Sequence, residues 1–187
     1  MQFSFIKTKR LVIREYSDEY LAQVFDYRSD PRVYKTYTKK HDTKEDLAEY
    51  LKNNITEFNK DNGYSVFIVL LEDIVIGEVA ISYWDYNNEK NAIGYAIRPE
   101  YQKNGYGYEA VLAVVEYMFE IMGRNRIQAD VEYDNAASIA LLKKVGFIKE
   151  GLLRQVEYKN GQWNDSYLYA ILKDDWIHKR DKIVEKC

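Results

Sequence analysis

The sequence predicts an α/β protein of layered α+β type, built on a single mixed, mainly antiparallel sheet flanked by helices. Two observations predict this class. Apolar residues change along the chain between strand-like and helix-like spacing, and three strand-like runs follow one another closely before the spacing changes. The length of 187 residues suits one domain over 1–187, and no Pro-, Gly- or Ser-rich stretch marks a linker.

The first half of the chain is predicted to contain one strand, two helices and three strands. In order, these are a strand at 11–14, a helix capped by Ser17, a helix from Thr43 to Asn62-Gly63, and strands at 64–71, 74–84 and 91–98. Thr43 precedes Asp46 at a loose capping-box spacing. Pro99 ends the last strand, because proline cannot donate a ladder hydrogen bond. Strands so closely spaced favour an antiparallel meander.

The second half begins with a long helix after Gly105 and Gly107. Its apolar residues fall on one helical face: Val111, Val114, Val115, Met118 and Met122. The elements that follow are a strand at 126–131, a helix at 135–145 closed by Gly146, strands at 147–158 and 162–172, and a polar helix from Asp174. The dipeptide Asn160-Gly161 between the last two strands is a strong hairpin signal.

Composition and charge exclude several classes of function. The chain has 27 Lys and Arg against 30 Asp and Glu, a net charge of -3, which does not favour nucleic acid as a partner. No apolar run reaches the roughly 18 residues of a membrane span. A lone cysteine, Cys187, cannot form an internal disulfide, and His41 and His178 lie in charged surroundings that predict solvated side chains. We therefore expect a cytoplasmic protein without a metal site, a membrane partner or a nucleic-acid partner.

The segment with the clearest chemical meaning is Gln102-Lys103-Asn104-Gly105-Tyr106-Gly107, a short glycine-containing loop between a strand and a helix. Glycines allow a ligand close to the backbone, and the first N–H groups of a helix bind phosphate or pyrophosphate. The same glycines also suit a plain tight turn. The loop is neither a Walker loop nor a dinucleotide-binding fingerprint, because Gly107 is followed by Tyr108 and Glu109.

Several motifs together resemble the GNAT superfamily of N-acetyltransferases. The spacing Gln102-x-x-Gly105-x-Gly107 is similar to its pyrophosphate loop, Q/R-x-x-G-x-G/A. Its N-x-x-S/A … G-F segment is matched by Asn135-Ala136-Ala137-Ser138 and Lys144-Val145-Gly146-Phe147. The opening, 8–14, and the stretch 151–169 resemble the RimJ/RimL-like branch, so that the resemblance covers about 8–176.

This resemblance implies transfer of an acetyl group from acetyl-CoA, as co-substrate, to a primary amine by direct attack in a ternary complex. The acceptor would be a protein N-terminus of the ribosomal-protein type or a small amine. The residues implied in acetyl-CoA binding are Ile97, Arg98, Gln102, Lys103, Asn104, Gly105, Tyr106, Gly107 and Asn135. Among them, a backbone N–H near Ile97 would contact the thioester oxygen, and Asn135 the pantetheine arm.

The resemblance also suggests two catalytic side chains. Glu157 would be the base that deprotonates the amine; the alternative is a solvated hairpin glutamate opposite Trp163 or Gln162. Many members of the superfamily carry a tyrosine acid where this chain has Leu142. Ser138 offers a hydroxyl near the CoA sulfur in its place, or is a helix residue bonded to the backbone. The missing tyrosine leaves a catalytically weak CoA-binding or sensing module as the second hypothesis, and a homodimer is an open option.

Overall fold

The computed structural model describes residues 5–34, 40–56, 58, 60–85, 87–159 and 161–184, so Asn160 and Cys187 lie outside the described residues. The strands form one eight-stranded sheet in the order β1-β2-β3-β4-β5-β6-β8-β7. They are β1 (Ile6–Lys7), β2 (Leu11–Glu15), β3 (Tyr64–Leu71), β4 (Ile74–Asp85), β5 (Lys90–Ile97), β6 (Arg126–Glu132), β7 (Ile148–Lys159) and β8 (Gln162–Leu172). The helices are α1 (Leu21–Arg28), α2 (Pro31–Tyr34), α3 (Lys44–Asn54), α4 (Tyr106–Glu120), α5 (Ala136–Val145) and α6 (Lys173–Val184). The predicted mixed sheet with flanking helices is confirmed.

Strands β3 to β5 form the expected antiparallel meander, and β2 and β1 extend it, also antiparallel. Helix α4 then crosses over, so that β6 lies parallel to β5, and the β7–β8 hairpin continues the sheet in antiparallel fashion. Gly161 of the hairpin turn has φ 80°, the left-handed conformation that glycine adopts without strain. The short strand β1 and the one-turn helix α2 were not predicted, because segments of two and four residues carry too few apolar positions to show a period.

Two predicted helix starts have different outcomes. Thr43 caps α3 as expected, since its hydroxyl accepts a hydrogen bond from the Asp46 N–H at 3.1 Å. The predicted end at 62–63 is wrong. Helix α3 ends earlier, at Asn54. Two residues later, the N–H of Thr56 donates to the Tyr64 carbonyl at 2.9 Å, which fixes the chain to the start of β3.

The prediction for Ser17 is also only half right. Ser17 precedes a short 3-10 turn at Asp18–Tyr20, and α1 begins afterwards at Leu21. The Ser17 hydroxyl bonds the carboxylate of Glu19 at 2.9 Å and caps no backbone N–H. The hydroxyl thus donates to a nearby carboxylate, and its oxygen accepts no N–H from the 3-10 turn.

The sheet separates two hydrophobic clusters. One face is covered by α4, α5 and α6, and we call it the α4 face; the predicted stripe of α4 is buried against it together with Ile127 and Ala129 of β6. The other face is covered over β2 to β4 by α1, α2 and α3, and we call it the α1 face; Leu47 and Leu51 of α3 are buried there. Side chains that alternate along a strand therefore lie on one or the other face.

A buried ion pair lies within the α1 face. The Arg28 guanidinium of α1 donates to the Glu78 carboxylate of β4 at 2.7, 2.9 and 3.1 Å, and the Tyr27 hydroxyl donates to the same carboxylate. The two charged side chains are only 5% and 3% exposed. Each charge needs the other, because a buried charge without its partner lowers the free energy of unfolding by several kcal/mol, about 3–5.

The expectation of two solvated histidines is wrong for His41. Its side chain is 8% exposed and packs on the ring of Tyr50, with centroids 4.7 Å apart. The charged neighbours Lys40 and Asp42 are exposed, while the ring between them turns inward toward α3. Charge next to a residue in sequence does not decide which way that residue faces. His178 is exposed, as expected.

Candidate active site

The sheet opens between β5 and β6. The two parallel strands pair only at Lys90↔Arg126, Asn91↔Ile127 and Ala92↔Gln128. Beyond Ala92, β5 continues to Ile97 while β6 stays paired with β8, which leaves residues 93–97, about 16 Å of strand, along an open edge. We call this opening the split.

The backbone groups that line the split follow from the pairing with β4. Arg98 donates its N–H to the Ile76 carbonyl of β4 at 2.8 Å. Because successive N–H groups of a strand point to opposite edges, the N–H groups of Ile97 and Tyr95 face the split. The β5 edge therefore presents backbone donors and acceptors to any extended polar chain that enters there.

The glycine-containing loop lies at the end of this edge and starts α4. Gly105 is the N-cap of α4, with φ 80°, and its carbonyl accepts the Glu109 N–H at 3.0 Å. The N–H groups of Tyr106, Gly107 and Tyr108 precede that first helical bond, so they have no partner inside the helix. Free N–H groups and the positive end of a helix dipole are the groups that bind anions in proteins, and we call this helix start the anion site.

The loop is attached to the split by two contacts. The Gln102 amide Nε2 donates to the Ile97 carbonyl at 2.8 Å, at the end of β5. Gly107 packs next to both neighbours of the split, since a β-carbon there would lie 3.2 Å from the Leu141 side chain of α5 and 3.3 Å from that of Ile97. The anion site and the open edge of β5 are therefore one continuous surface. Lys103 and Asn104 lie exposed on the outside of the loop.

A hydroxyl pair bridges the split on the α4 face. The Tyr95 hydroxyl of β5 lies 2.7 Å from the Ser138 hydroxyl in the first turn of α5. Burial raises the pKa of Tyr95 to about 12, and the hydrogen bond with Ser138 opposes this only in part. The phenol is therefore neutral at pH 7 and keeps its proton available to the pair.

Sequence reasoning selected Ser138 and missed Tyr95. The signal was present in the alternation of β5, which puts Tyr95 on the same face as Ile93 and Ile97. The alternation does not reveal the hydrogen-bond partner of Tyr95, because Ser138 lies 43 residues further along the chain.

Asn135 caps the start of α5 beside the split. It is the N-cap of α5, and its Oδ1 accepts the Ser138 N–H at 3.0 Å. The cap fixes the first turn of α5 and with it the Ser138 backbone next to the split. The amide Nδ2 is the group of Asn135 that is left to donate to a ligand.

Glu157 lies on the opposite, α1 face of the sheet. It pairs with Asn164 of β8, since Lys159 pairs with Gln162, and the alternative that placed it opposite Trp163 or Gln162 is wrong by register. Asn164 shares its face with Ser166, which pairs with Glu132 of β6.

The register also places Glu157 relative to α5. Glu132 is the last residue of β6, and Asn164 lies two residues before its partner Ser166, so Glu157 stands level with the turn that leads from β6 into α5. Lys159 on the same face binds Glu132 at 2.6 Å. In the strand order β5-β6-β8-β7, β6 and β8 lie between the split and β7, so Glu157 is level with the end of the split but two strands to its side.

The family is shown by comparison with known proteins. The family model described as an acetyltransferase (GNAT) domain matches residues 10–148. The chain belongs to the acetyltransferase (GNAT) family.

Individual GNAT relatives cover nearly the whole chain. An uncharacterized N-acetyltransferase of Bacillus subtilis, YnaD, is 35% identical over 173 residues, 91% of this chain and 98% of the relative. The crystal structure of a GNAT-family acetyltransferase from Bacillus anthracis superimposes with a TM-score of 0.80 at 29% identity, over 91% of this chain and 99% of that one. This GNAT chain is therefore an acyltransferase enzyme.

The predicted branch is also confirmed at modest identity. The ribosomal protein uS5 alanine N-acetyltransferase of Escherichia coli is 35% identical over 88 residues, 47% of this chain and 45% of the relative. Ribosomal-protein acetyltransferases of the RimJ/RimL-like kind are thus among the homologues of this GNAT chain.

Leu142 departs from the family pattern, and Arg98 departs from our expectation that it binds acetyl-CoA. Leu142, at the position where many members have a tyrosine acid, is 0% exposed and belongs to the core beneath α5. Arg98 uses its N–H in the sheet, and its guanidinium binds the Gln23 carbonyl at 2.8 Å and the Asp26 carboxylate at 3.0 Å in α1. Arg98 therefore anchors α1, and we do not carry it into the proposed site.

Other parts of the GNAT chain offer less for catalysis. A cavity of about 460 Å³ lies along the outer side of α3, away from the split, lined by Lys40, His41, Asp42, Asp46, Glu49, Tyr50, Asn53 and Asn54. Three of these side chains are carboxylates, Asp42, Asp46 and Glu49, which disfavour a diphosphate, so we place the chemistry at the split. Within the described ranges no three His, Cys, Asp or Glu side chains group to hold a metal, and no described helix is long and apolar enough to cross a bilayer.

Proposed function

We propose that this protein transfers an acetyl group from acetyl-CoA to a primary amine by direct attack in a ternary complex. One observation carries the proposal: the open edge of β5 runs from the anion site at the start of α4 to the Tyr95–Ser138 pair. A ligand with a diphosphate at one end, an amide-containing arm and a reactive thioester at the other end fits this sequence of groups.

The co-substrate would be held mainly by backbone. The diphosphate would accept from the N–H groups of Tyr106, Gly107 and Tyr108, and the amides of the pantetheine arm would pair with the edge of β5 in the manner of an added strand. Asn135 would donate its Nδ2 to the arm, because its Oδ1 is committed to the cap of α5.

The acceptor amine must first lose a proton. A free α-amine has a pKa of about 7.7–8.0 and a lysine amine about 10.4, so both are largely protonated at pH 7. Glu157 would accept this proton from the α1 face, where Asp130 and Glu132 also place carboxylates that favour a cationic acceptor. A positioned base of this kind contributes roughly 10²–10⁴-fold.

The neutral amine nitrogen then attacks the thioester carbon. Negative charge develops on the thioester oxygen, which the Ile97 N–H would stabilise; one such donor is worth about 3–4 kcal/mol in comparable acyl-transfer sites. After the attack the nitrogen is cationic and would lose its second proton to solvent. The carbon–sulfur bond breaks, the sulfur leaves as thiolate, and Ser138 would deliver a proton to it. Tyr95, neutral at pH 7, would return a proton to Ser138 through their hydrogen bond.

The acceptor class is proposed as a protein N-terminus or a small amine. The relative that acetylates ribosomal protein uS5 supports the first, and the open carboxylate-bearing α1 face admits both. The buried Leu142 supports, as a second candidate, a CoA-binding module with weak turnover.

The test is release of free thiol from acetyl-CoA with peptides of free N-terminus, polyamines and aminoglycosides. We expect turnover with one class, and a loss of kcat of roughly 10²–10⁴-fold in Glu157→Gln with an unchanged KM for acetyl-CoA. Glu150→Gln on the same strand is the matched control, because Glu150 pairs with Arg126 outside the site. Tight acetyl-CoA binding without turnover against every amine would favour the binding module, and equal rates of the two variants would remove Glu157 as the base.

A further inference from the structure

The segment before β2 is fastened to the first turn of α4. The Thr8 hydroxyl donates to Glu109 Oε1 at 2.6 Å, and the Arg10 backbone N–H donates to the same oxygen at 2.9 Å. Arg10 Nε donates to Glu109 Oε2 at 2.7 Å. These contacts join residues about 100 positions apart, within the opening 8–14 whose role the proposed function leaves unexplained.

Arg10 also contacts the glycine-containing loop itself. Its Nη1 donates to the Asn104 carbonyl at 3.1 Å, and its guanidinium carbon lies 4.4 Å from the centre of the Tyr106 ring. A β-carbon at Gly105 would lie 3.5 Å from Arg10 Nη2. Among the described residues Nη2 has no hydrogen-bond partner, so a guanidinium N–H donor faces the N-cap of α4.

The negative charge of Glu109 lies at the end of α4 where an anion would bind. A carboxylate in the first turn stabilises a helix but repels an anion bound at the same end. Partial burial raises the pKa of Glu109, but the hydrogen bonds from Thr8 and Arg10 outweigh it and leave the pKa below its ordinary value. Glu109 is therefore ionised at neutral pH, and Arg10 both cancels its charge and is oriented by it.

We propose that Arg10 is a co-substrate-binding residue whose Nη2 donates to the diphosphate of acetyl-CoA, with Thr8 and Glu109 as the residues that position it. The inference rests on the proposed function, since it requires acetyl-CoA at the start of α4. It gives the Thr8-x-Arg10 opening a role in holding the phosphate end of the ligand, separate from the groups that act on the thioester.

The experiment compares acetyl-CoA with S-acetylpantetheine, which has the same arm and thioester but no diphosphate. In Arg10→Gln we expect KM and Kd for acetyl-CoA to rise about tenfold, with kcat unchanged. This is the lower end of the range of energies for a hydrogen bond to a charged group, because the Arg10 side chain is 39% exposed. The constants for S-acetylpantetheine should not change. Arg10→Lys, which keeps the charge but loses the fork, should recover part of the affinity.

Two further variants separate this role from simple stabilisation. Lys9→Gln removes a neighbouring exposed charge that makes none of these contacts, and should leave both ligands unaffected. Thr8→Val removes one hydrogen bond to Glu109 and should weaken acetyl-CoA by less than Arg10→Gln does. An equal loss for both ligands in Arg10→Gln, or none, overturns the role of Arg10 while wild-type binding stands. A wild type that fails to bind acetyl-CoA overturns the proposed function and this inference with it.

Discussion

Glu78→Gln is the most direct test of how the α1 face is held together. Glutamine keeps the size of the side chain but removes its charge, which leaves Arg28, 5% exposed, without a counter-charge. Breaking a buried pair in this way costs about 3–5 kcal/mol of the free energy of unfolding. For a chain of this length that corresponds to a fall in Tm of roughly 6–20 °C, at about 2–4 °C per kcal/mol.

The measurement is thermal unfolding followed by circular dichroism at pH 7, with Glu150→Gln as the matched control. Glu150 forms an equally short pair with Arg126, at 2.6 Å, but the two side chains are 39% and 23% exposed. Solvent screening limits such a pair to at most about 1 kcal/mol. In a Tyr27→Phe background, which removes the hydroxyl that donates to Glu78, replacing both buried charges with Arg28→Met and Glu78→Leu together should recover most of the loss.

Equal, small losses in Glu78→Gln and Glu150→Gln would refute this reasoning. That result would mean that Arg28 finds water or another acceptor when the carboxylate is removed. A large loss in Glu78→Gln that the double replacement does not recover would place the cost in packing, since the charge would then be absent from both sides.

The remaining predictions concern the site and one helix end. Gly105→Val should abolish acetyl-CoA binding in calorimetry with a native circular dichroism spectrum, because φ 80° strains a branched side chain at the anion site; unchanged affinity would contradict the loop assignment. Tyr95→Phe should flatten the alkaline loss of stability in urea unfolding. Burial raises the pKa of Tyr95 to about 12 in the folded state, against about 10 unfolded, so stability that is complete below pH 10 falls by about 3 kcal/mol as the pH rises toward 12. Thr43→Ala should cost about 1 kcal/mol of the free energy of unfolding and Thr43→Ser much less, whereas equal losses would exclude the cap to Asp46 as the cause.

Local rules predicted much of the molecule correctly. The bounds of β3 and β8, the cap at Thr43 and the helix closed by Gly146 depend on side-chain alternation, a neighbouring hydrogen bond or a left-handed glycine with φ 119°. Each depends on residues a few positions apart, so the sequence displays the cause directly. The glycine-containing loop and the Asn135–Ser138 segment were recognisable for the same reason.

Local rules failed where a distant group took the hydrogen bond or the space. The helix after Thr43 ends early because Thr56 bonds the start of β3, and His41 turns inward although its neighbours are charged. The pairing of Glu157 is a different case, since counting back from Lys159↔Gln162 gives Asn164 as its partner and not Trp163 or Gln162, the residues of our alternative.

The sequence by itself determined most of the elements that form, predicted which loop would bind a phosphate, and showed that the chain resembles N-acetyltransferases. The tertiary structure alone decided that β5 and β6 separate beyond Ala92, that Tyr95 meets Ser138 across that split, and that Arg10 reaches Gly105. The physical reason is the range of the interactions. Periodicity and capping act between residues close in the chain, whereas the split and its contacts exist only once the sheet and helices have packed.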